Sequence, residues 1–242
     1  MTTILETRDL VAGYEPGLPI VRGASMRVGR GELVVVLGPN GAGKSTLIKA
    51  IAGLVPIEGG AVLLEGRPIT RLPAHRMIGA GIALVPQTDN VFQTMTVEEQ
   101  LRLVAHTLPR QARRPALAGA FALFPDLTRY RSSRNGALSG GQRQMVAIAS
   151  ALLAQPKALL LDEPSAGLSP KMVETVLDKL REIRGRGVAI LLVEQNVRAA
   201  LAVADRAYVM VGGVERHEGT AEALLDDPVV AQLYLGRKGT AA

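Results

Sequence analysis

Residues 38–45 read GPNGAGKS, with glycine at 38, 41 and 43 ahead of a lysine and a serine. This is the full G-x-x-x-x-G-K-[ST] spacing, and it lies between an apolar run and a helical pattern. Glycines let successive backbone N–H groups turn inward around a phosphate, and a helix starting there adds the positive end of its dipole. Lys44 supplies a point charge for the β and γ phosphates, and the Ser45 hydroxyl is a ligand for Mg²⁺. The nucleotide-contacting set is Gly38, Pro39, Asn40, Gly41, Ala42, Gly43, Lys44, Ser45 and Thr46. Alone, the loop specifies a nucleoside triphosphate and leaves kinase, GTPase, helicase and pump open.

A second constellation narrows the reaction. Residues 158–164 read ALLLDEP, an apolar strand that ends in adjacent carboxylates. Neighbouring side chains at a strand end point to different sides, so Asp162 and Glu163 are expected to differ in role. Asp162 would hold Mg²⁺, through water, as in phosphate-loop enzymes generally, leaving Glu163 to polarise an attacking water. No acceptor hydroxyl is suggested, so the reaction class is hydrolysis of a γ-phosphate.

The elements that must position these groups follow from hydrophobic period. ILETRDL and IVRGASMRV alternate, as two half-buried, antiparallel strands would. LVVVL, at 33–37, is uniformly apolar and β-branched, the pattern of a parallel strand covered on both faces. A helix follows over STLIKAIAGL with Gly53 as its stop, then a hairpin in GGAVLLEGRPI and a strand in GIALVPQ. Thr96 and Glu99 form a capping box. From there to about residue 133 the chain reads as helices broken by Pro109, Pro115 and Pro125. The α/β pattern then resumes: a helix capped by Ser139, the ALLLDEP strand, a helix beginning at Pro170, and a buried strand in VAILLVEQN. The tail gives a helix, a hairpin turning at Gly212 and Gly213, and a short helix from Thr220.

With no cysteine, neither a disulfide framework nor a thiolate site is possible. The start carries an acid and alternating polarity, unlike a signal peptide, and no apolar run approaches the roughly 20 residues that span a bilayer. Soluble behaviour is expected, with membrane association only through a partner or the surface. The net charge is +6 and partly local: between residues 101 and 138, Arg102, Arg110, Arg113, Arg114, Arg129, Arg131 and Arg134 face one acid, Asp126. That block is either a solvated face or a surface for acidic protein, anionic lipid or nucleic acid. Aromatics make up only 3% of the chain, which poorly supports base stacking and puts nucleic acid last.

Residues 138–144 read LSGGQRQ. The phosphate loop, LSGGQ and LLLDEP, in this order and spacing, resemble the ATP-binding cassette family over nearly the whole chain. The resemblance implies an α/β fold: a P-loop NTPase core with a mostly parallel central sheet at about 1–88 and 139–242, an N-terminal antiparallel β-subdomain, and an inserted helical subdomain at about 89–138 that continues into the LSGGQ helix. It implies two cassettes joined head to tail, each ATP lying between the phosphate loop of one and Ser139, Gly140, Gly141 and Gln142 of the other. Those residues open a helix, so their N–H groups and the serine hydroxyl can meet a γ-phosphate from outside. An N-capped helix suffices for a lone chain, except for two glycines where a helix loses about 1 kcal/mol each. The resemblance further implies that Tyr14 stacks on adenine, and that Gln87 reaches the Mg²⁺ and the attacking water. SAGLSP, at 165–170, falls at the loop crossing the dimer interface; the family often has aspartate where Ser169 stands, which still allows a serine cap on the next helix.

PNGAGKST, DEPSAGLSP, ILLVEQN and ADRAYVMVGG look most like the LivF-type cassettes of branched-chain amino acid importers. That likeness implies a second cassette, in a heterodimer or a homodimer, two integral membrane permease subunits, an external substrate-binding protein, and a peripheral position on the cytoplasmic face of a bacterial membrane. Urea and short-chain amide importers use similar cassettes. A soluble cassette acting on DNA or ribosomes usually has two cassettes or long coiled-coil insertions, and a non-hydrolytic one normally lacks Lys44 or Glu163. In most of the family the residue after the last strand's terminal acid is a histidine contacting the γ-phosphate; here it is Gln195, flanked by Glu194 and Asn196 as loop scaffolding.

Overall fold

The computed structural model describes residues 2–225. Two sheets are built. Strands β1 (Thr3–Ala12), β2 (Val21–Gly29), β4 (Ile57–Leu64) and β5 (Arg67–Pro68) form an antiparallel sheet in the order β2-β1-β4-β5. The second sheet contains β3 (Leu33–Leu37), β6 (Ile82–Val85), β7 (Ala158–Asp162), β8 (Ala189–Val193), β9 (Arg206–Val211) and β10 (Val214–Thr220), in the order β10-β9-β3-β8-β7-β6. All its pairings are parallel except β10 with β9. The β9–β10 turn is made by Gly212 and Gly213 at φ 60° and 86°, the left-handed pair that a two-residue hairpin needs.

The uniformly apolar strands are covered on both faces. Leu33, Val35 and Leu37 enter one core, with α5 (Gly140–Leu153) and α6 (Pro170–Gly185); Val34 and Val36 enter another, with α1 (Lys44–Ile51) and the antiparallel sheet. Leu159 and Leu161 of β7, and Ile190 and Leu192 of β8, alternate in the same way with their neighbours. Each fully buried leucine or valine contributes about 1.5–3 kcal/mol, which is why β3, β7 and β8 carry no polar residue until they end.

Between β6 and α5 lie α3 (Val97–Ala105) and α4 (Arg110–Leu123), then 3₁₀ turns at Pro125–Tyr130 and Asn135–Ala137. The Thr96–Glu99 capping box forms as expected, each side chain bonded to the other's backbone N–H. Pro115 does not break the chain: it lies inside α4. There it removes a single bond, the one its N–H would make to the Gln111 carbonyl. The helix continues because Ala120 and Leu123, beyond the proline, are buried against the main core. A helix that the sequence reading omitted, α2 (Ala74–Ala80), precedes β6; only Met77 of it is buried, so it carries almost no periodic apolar signal. Two short helices, α7 (Val197–Leu201) and α8 (Ala221–Leu225), complete the described chain, and the end of the expected core, 226–242, lies outside the described residues. No helix among the described residues is long and apolar enough to cross a membrane.

Candidate functional site

Strand register brings the sequence-separated groups to one edge. Val36 of β3 and Asp162 of β7 both pair with Val193 of β8, and Val85 of β6 pairs with Leu161. The carboxyl ends of β3, β7, β8 and β6 therefore release Gly38, Glu163, Gln195 and Gln87 along the same rim, where ligands bind in open α/β sheets.

The phosphate loop wraps as its glycines require. Gly41 and Gly43 have φ 79° and 97°, and a Cβ at Gly38 would lie 2.4 Å from the Met210 carbonyl oxygen of β9. Helix α1 starts at Lys44 with no side-chain cap and no acid in its first turn, so its first N–H groups and dipole face the loop. Lys44 is only 5% exposed and its Nζ donates to the carbonyls of Gly38 (2.7 Å) and Pro39 (3.0 Å). Burial lowers its pKa, opposed by the charges of Glu163 and Asp162. Thr46 is buried behind it.

Asp162 and Glu163 take up separate partners. Ser45 Oγ donates to Asp162 Oδ1 at 2.8 Å. Glu163, 8% exposed, sits at φ 48°, a left-handed position that a non-glycine residue adopts only against strain. Its backbone N–H donates to Val193 O (2.9 Å), and this turn swings the carboxylate away from Asp162 toward two amides. Gln195 Nε2 lies 2.8 Å from both Glu163 oxygens and Gln87 Nε2 lies 2.8 Å from Oε2. Gln195 thus meets the neighbouring carboxylate, a contact the sequence reading did not anticipate.

The flanking residues are scaffolding. Glu194, 3% exposed, accepts from the N–H of Ser165 (3.0 Å) and of Gln195 (3.2 Å), tying the 165–169 loop to the end of β8. Desolvation raises its pKa against those hydrogen bonds. Asn196 caps α7, accepting from Ala199 N–H. Ser169, expected to cap α6, makes no side-chain cap bond. Pro170 presets the first helical φ, and Val173 N–H bonds the Ser169 carbonyl, so the helix starts without it.

Tyr14 stands 54% exposed in the loop between β1 and β2, whose far end reaches the phosphate loop: a Cβ on Gly43 would lie 3.3 Å from Ile20 O. Ser139 caps α5 in a reciprocal box with Gln142, at 2.9 and 3.3 Å. Among the described residues, no hydrogen bond joins Ser139, Gly140, Gly141 or Gln142 to the phosphate loop. A Cβ at Gly141 would meet Met172 Cε of α6 at 2.4 Å and oblige that side chain to shift; at Gly140 only Leu168 comes near, at 3.5 Å. Sequence reading missed Asn90, whose Nδ2 donates to Gln144 Oε1 (2.8 Å) and links the segment after Gln87 to the LSGGQ helix. Its signal was slight, one amide three residues beyond another.

A sequence profile of the ABC transporter family matches residues 21–166, more than half of the chain. The chain belongs to that family. It is 42% identical to the probable branched-chain amino acid transport ATP-binding protein LivF of Archaeoglobus fulgidus, covering 96% of this chain and 99% of the relative. It is 37% identical to the lipopolysaccharide export system ATP-binding protein LptB of Acidithiobacillus ferridurans, with 98% of each covered. The crystal structure of the ADP conformation of MJ1267, an ATP-binding cassette of an ABC transporter, superposes with a TM-score of 0.86 at 28% identity, over 98% of this chain and 100% of that one. As a cassette of this family the chain hydrolyses ATP, coupled to transport through a membrane permease.

Proposed function

We propose that this cassette powers import of branched-chain amino acids as one of two cassettes beneath two permease subunits, at the cytoplasmic face of the membrane, fed by an external binding protein. The observation that carries this reading is the LivF likeness over 96% of the chain. The likeness to LptB favours a second reading, lipopolysaccharide export. Reconstitution with branched-chain amino acid permease subunits and their binding protein separates them: ATP-dependent leucine uptake supports import, and ATP hydrolysis that these partners and leucine leave unchanged sinks it.

At the site, Lys44 binds the β and γ phosphates and Tyr14 offers an open face to adenine. Ser45 and Asp162 present a hydroxyl and a carboxylate, hard oxygens suited to Mg²⁺, which takes few protein ligands and completes its shell with phosphate and water. Gln87 adds its Oε1, which is left over when Nε2 bonds Glu163. The ion, when bound, neutralises charge on the transferred phosphoryl group. The Ser139–Gln142 segment serves the ATP held by the partner cassette, where Gly140 has no other stated use. The division into core, about 1–88 and 139–242, and helical subdomain, about 89–138, belongs to the same reading.

Glu163 acts as the base. Each carboxylate oxygen accepts about two hydrogen bonds. Oε2 receives both Gln87 and Gln195, whereas Oε1 receives Gln195 alone, so Oε1 retains a lone pair for the proton of the attacking water. Gln195 therefore orients the base in addition to any γ-phosphate contact. Gln195→Ala is expected to lower kcat about tenfold with little change in KM for ATP; a raised KM at unchanged kcat would show a phosphate contact instead. An amide does not titrate, so Gln195→His should introduce a step in the pH profile near ~6.5 that the natural chain lacks.

A further inference from the structure

The helical insertion carries a charge that ATP chemistry does not use. Between residues 101 and 138 every basic side chain other than histidine is arginine, with no lysine. Five of these arginines, Arg102, Arg110, Arg113, Arg114 and Arg131, line a cleft of about 610 Å³ between α3 and α4, where Glu98 is the sole carboxylate among the described residues. Glu98 is already shared, at 2.5 Å from Arg102 and 2.6 Å from Arg131. Arg113 folds back onto the Leu108 and His106 carbonyls. Arg110 and Arg114 make no hydrogen bond or ion pair among the described residues.

This placement works against the helix that bears it. Arg110, Arg113 and Arg114 fall in the first five residues of α4, where the dipole disfavours cations, and no acid stands in the first turn. Arg110 and Arg114 are also a like-charge pair one turn apart. A locally unfavourable choice with no relief among the described residues is the mark of a group held for something outside them. Leu117 and Phe121 line the same cleft, with the Arg131 guanidinium 5.1 Å from the centre of the Phe121 ring. Leu103, 45% exposed, follows Arg102 on α3. Guanidinium forks fit phosphate oxygens in pairs, and arginines set around apolar side chains make an interfacial, membrane-facing composition.

We infer that the α3–α4 cleft binds the phosphate headgroup of an anionic phospholipid, giving the cassette a membrane contact of its own beside its permease. The transporter reading supplies the setting, but the contact is measured without nucleotide or permease, so the two stand or fall separately. The full chain is sedimented with vesicles of phosphatidylcholine alone or with about 30% phosphatidylglycerol, over a salt series. Binding is expected only to the anionic vesicles, weakening as salt rises, and Arg110→Ser/Arg114→Ser should reduce it about tenfold or more while ATPase activity stays unchanged. The control removes charge elsewhere, with Arg67→Ser/Arg71→Ser at exposed positions in β5 and in the turn after it, and should bind as the natural chain does. No binding to anionic vesicles, or equal loss in both double variants, overturns the inference. Retention on immobilised polyglutamate that depends on Arg110 and Arg114, without vesicle binding, would assign the cleft to an acidic protein segment and overturn it as well.

Discussion

Glu163→Gln is expected to slow ATP hydrolysis by about 10²- to 10⁴-fold, the contribution of a well-placed general base, while leaving ATP binding in place. The carboxylate accepts from two amides, Gln87 Nε2 and Gln195 Nε2, each at 2.8 Å. Glutamine at 163 has the same shape, but its NH₂ would face the Gln195 NH₂. The oxygen that remains, in the place of Oε2, still accepts from Gln87 Nε2 and Gln195 Nε2, and a small rotation of the Gln195 amide moves it off the new NH₂, so the rim keeps its structure. With Glu163 as the proposed base, what is lost is the lone pair on Oε1 that would take the proton from water. Rapid-quench single-turnover hydrolysis alongside equilibrium ATP binding checks both halves. Turnover within about tenfold of the natural chain would remove Glu163 from the role of base.

Lys44→Ala acts on binding instead. Charge-assisted hydrogen bonds contribute about 1.5–3 kcal/mol each, and Lys44 can reach two phosphates, so ATP affinity should fall by about 10²-fold or more. The loss is compounded because Asp162 and Glu163, both buried, remain near an incoming polyanion without the cation that offsets them. Without nucleotide the change in stability should be smaller than the loss of ATP binding. Burial already disfavours the charged ammonium, which offsets what its removal costs the Gly38 and Pro39 carbonyls and the two carboxylates. Thermal unfolding with and without ATP is the measurement: the ATP-dependent rise in Tm, which follows ligand concentration over Kd, should nearly vanish. A full ATP-dependent shift in Lys44→Ala would contradict the assignment.

Position 195 shows how a substitution inside a motif gains meaning from geometry. In sequence it is an amide where a titratable ring is usual. In the fold it is the second amide on the Glu163 carboxylate, and that follows from the left-handed turn at Glu163, which no residue type announces. The same limit explains Pro115 and α2. A proline predicts a break on local grounds, yet tertiary burial of Ala120 and Leu123 carries α4 through. Helix α2 has one buried residue and leaves no period to read.

The sequence by itself determined the phosphate-loop motif, the carboxylate pair, the order of strands and helices apart from α2, the caps at Thr96 and Ser139, and the Gly212–Gly213 turn. These depend on neighbours within a few positions: backbone freedom at glycine, hydrogen-bond capacity at a helix start, and alternation along a strand buried on both faces. Only the tertiary structure decided which groups meet. The Ser45–Asp162 bond spans 117 positions, and Gln87 reaches Glu163 across 76. Such contacts are set by the pairing of β3, β8, β7 and β6, a property of the whole sheet's register that no local stretch encodes alone.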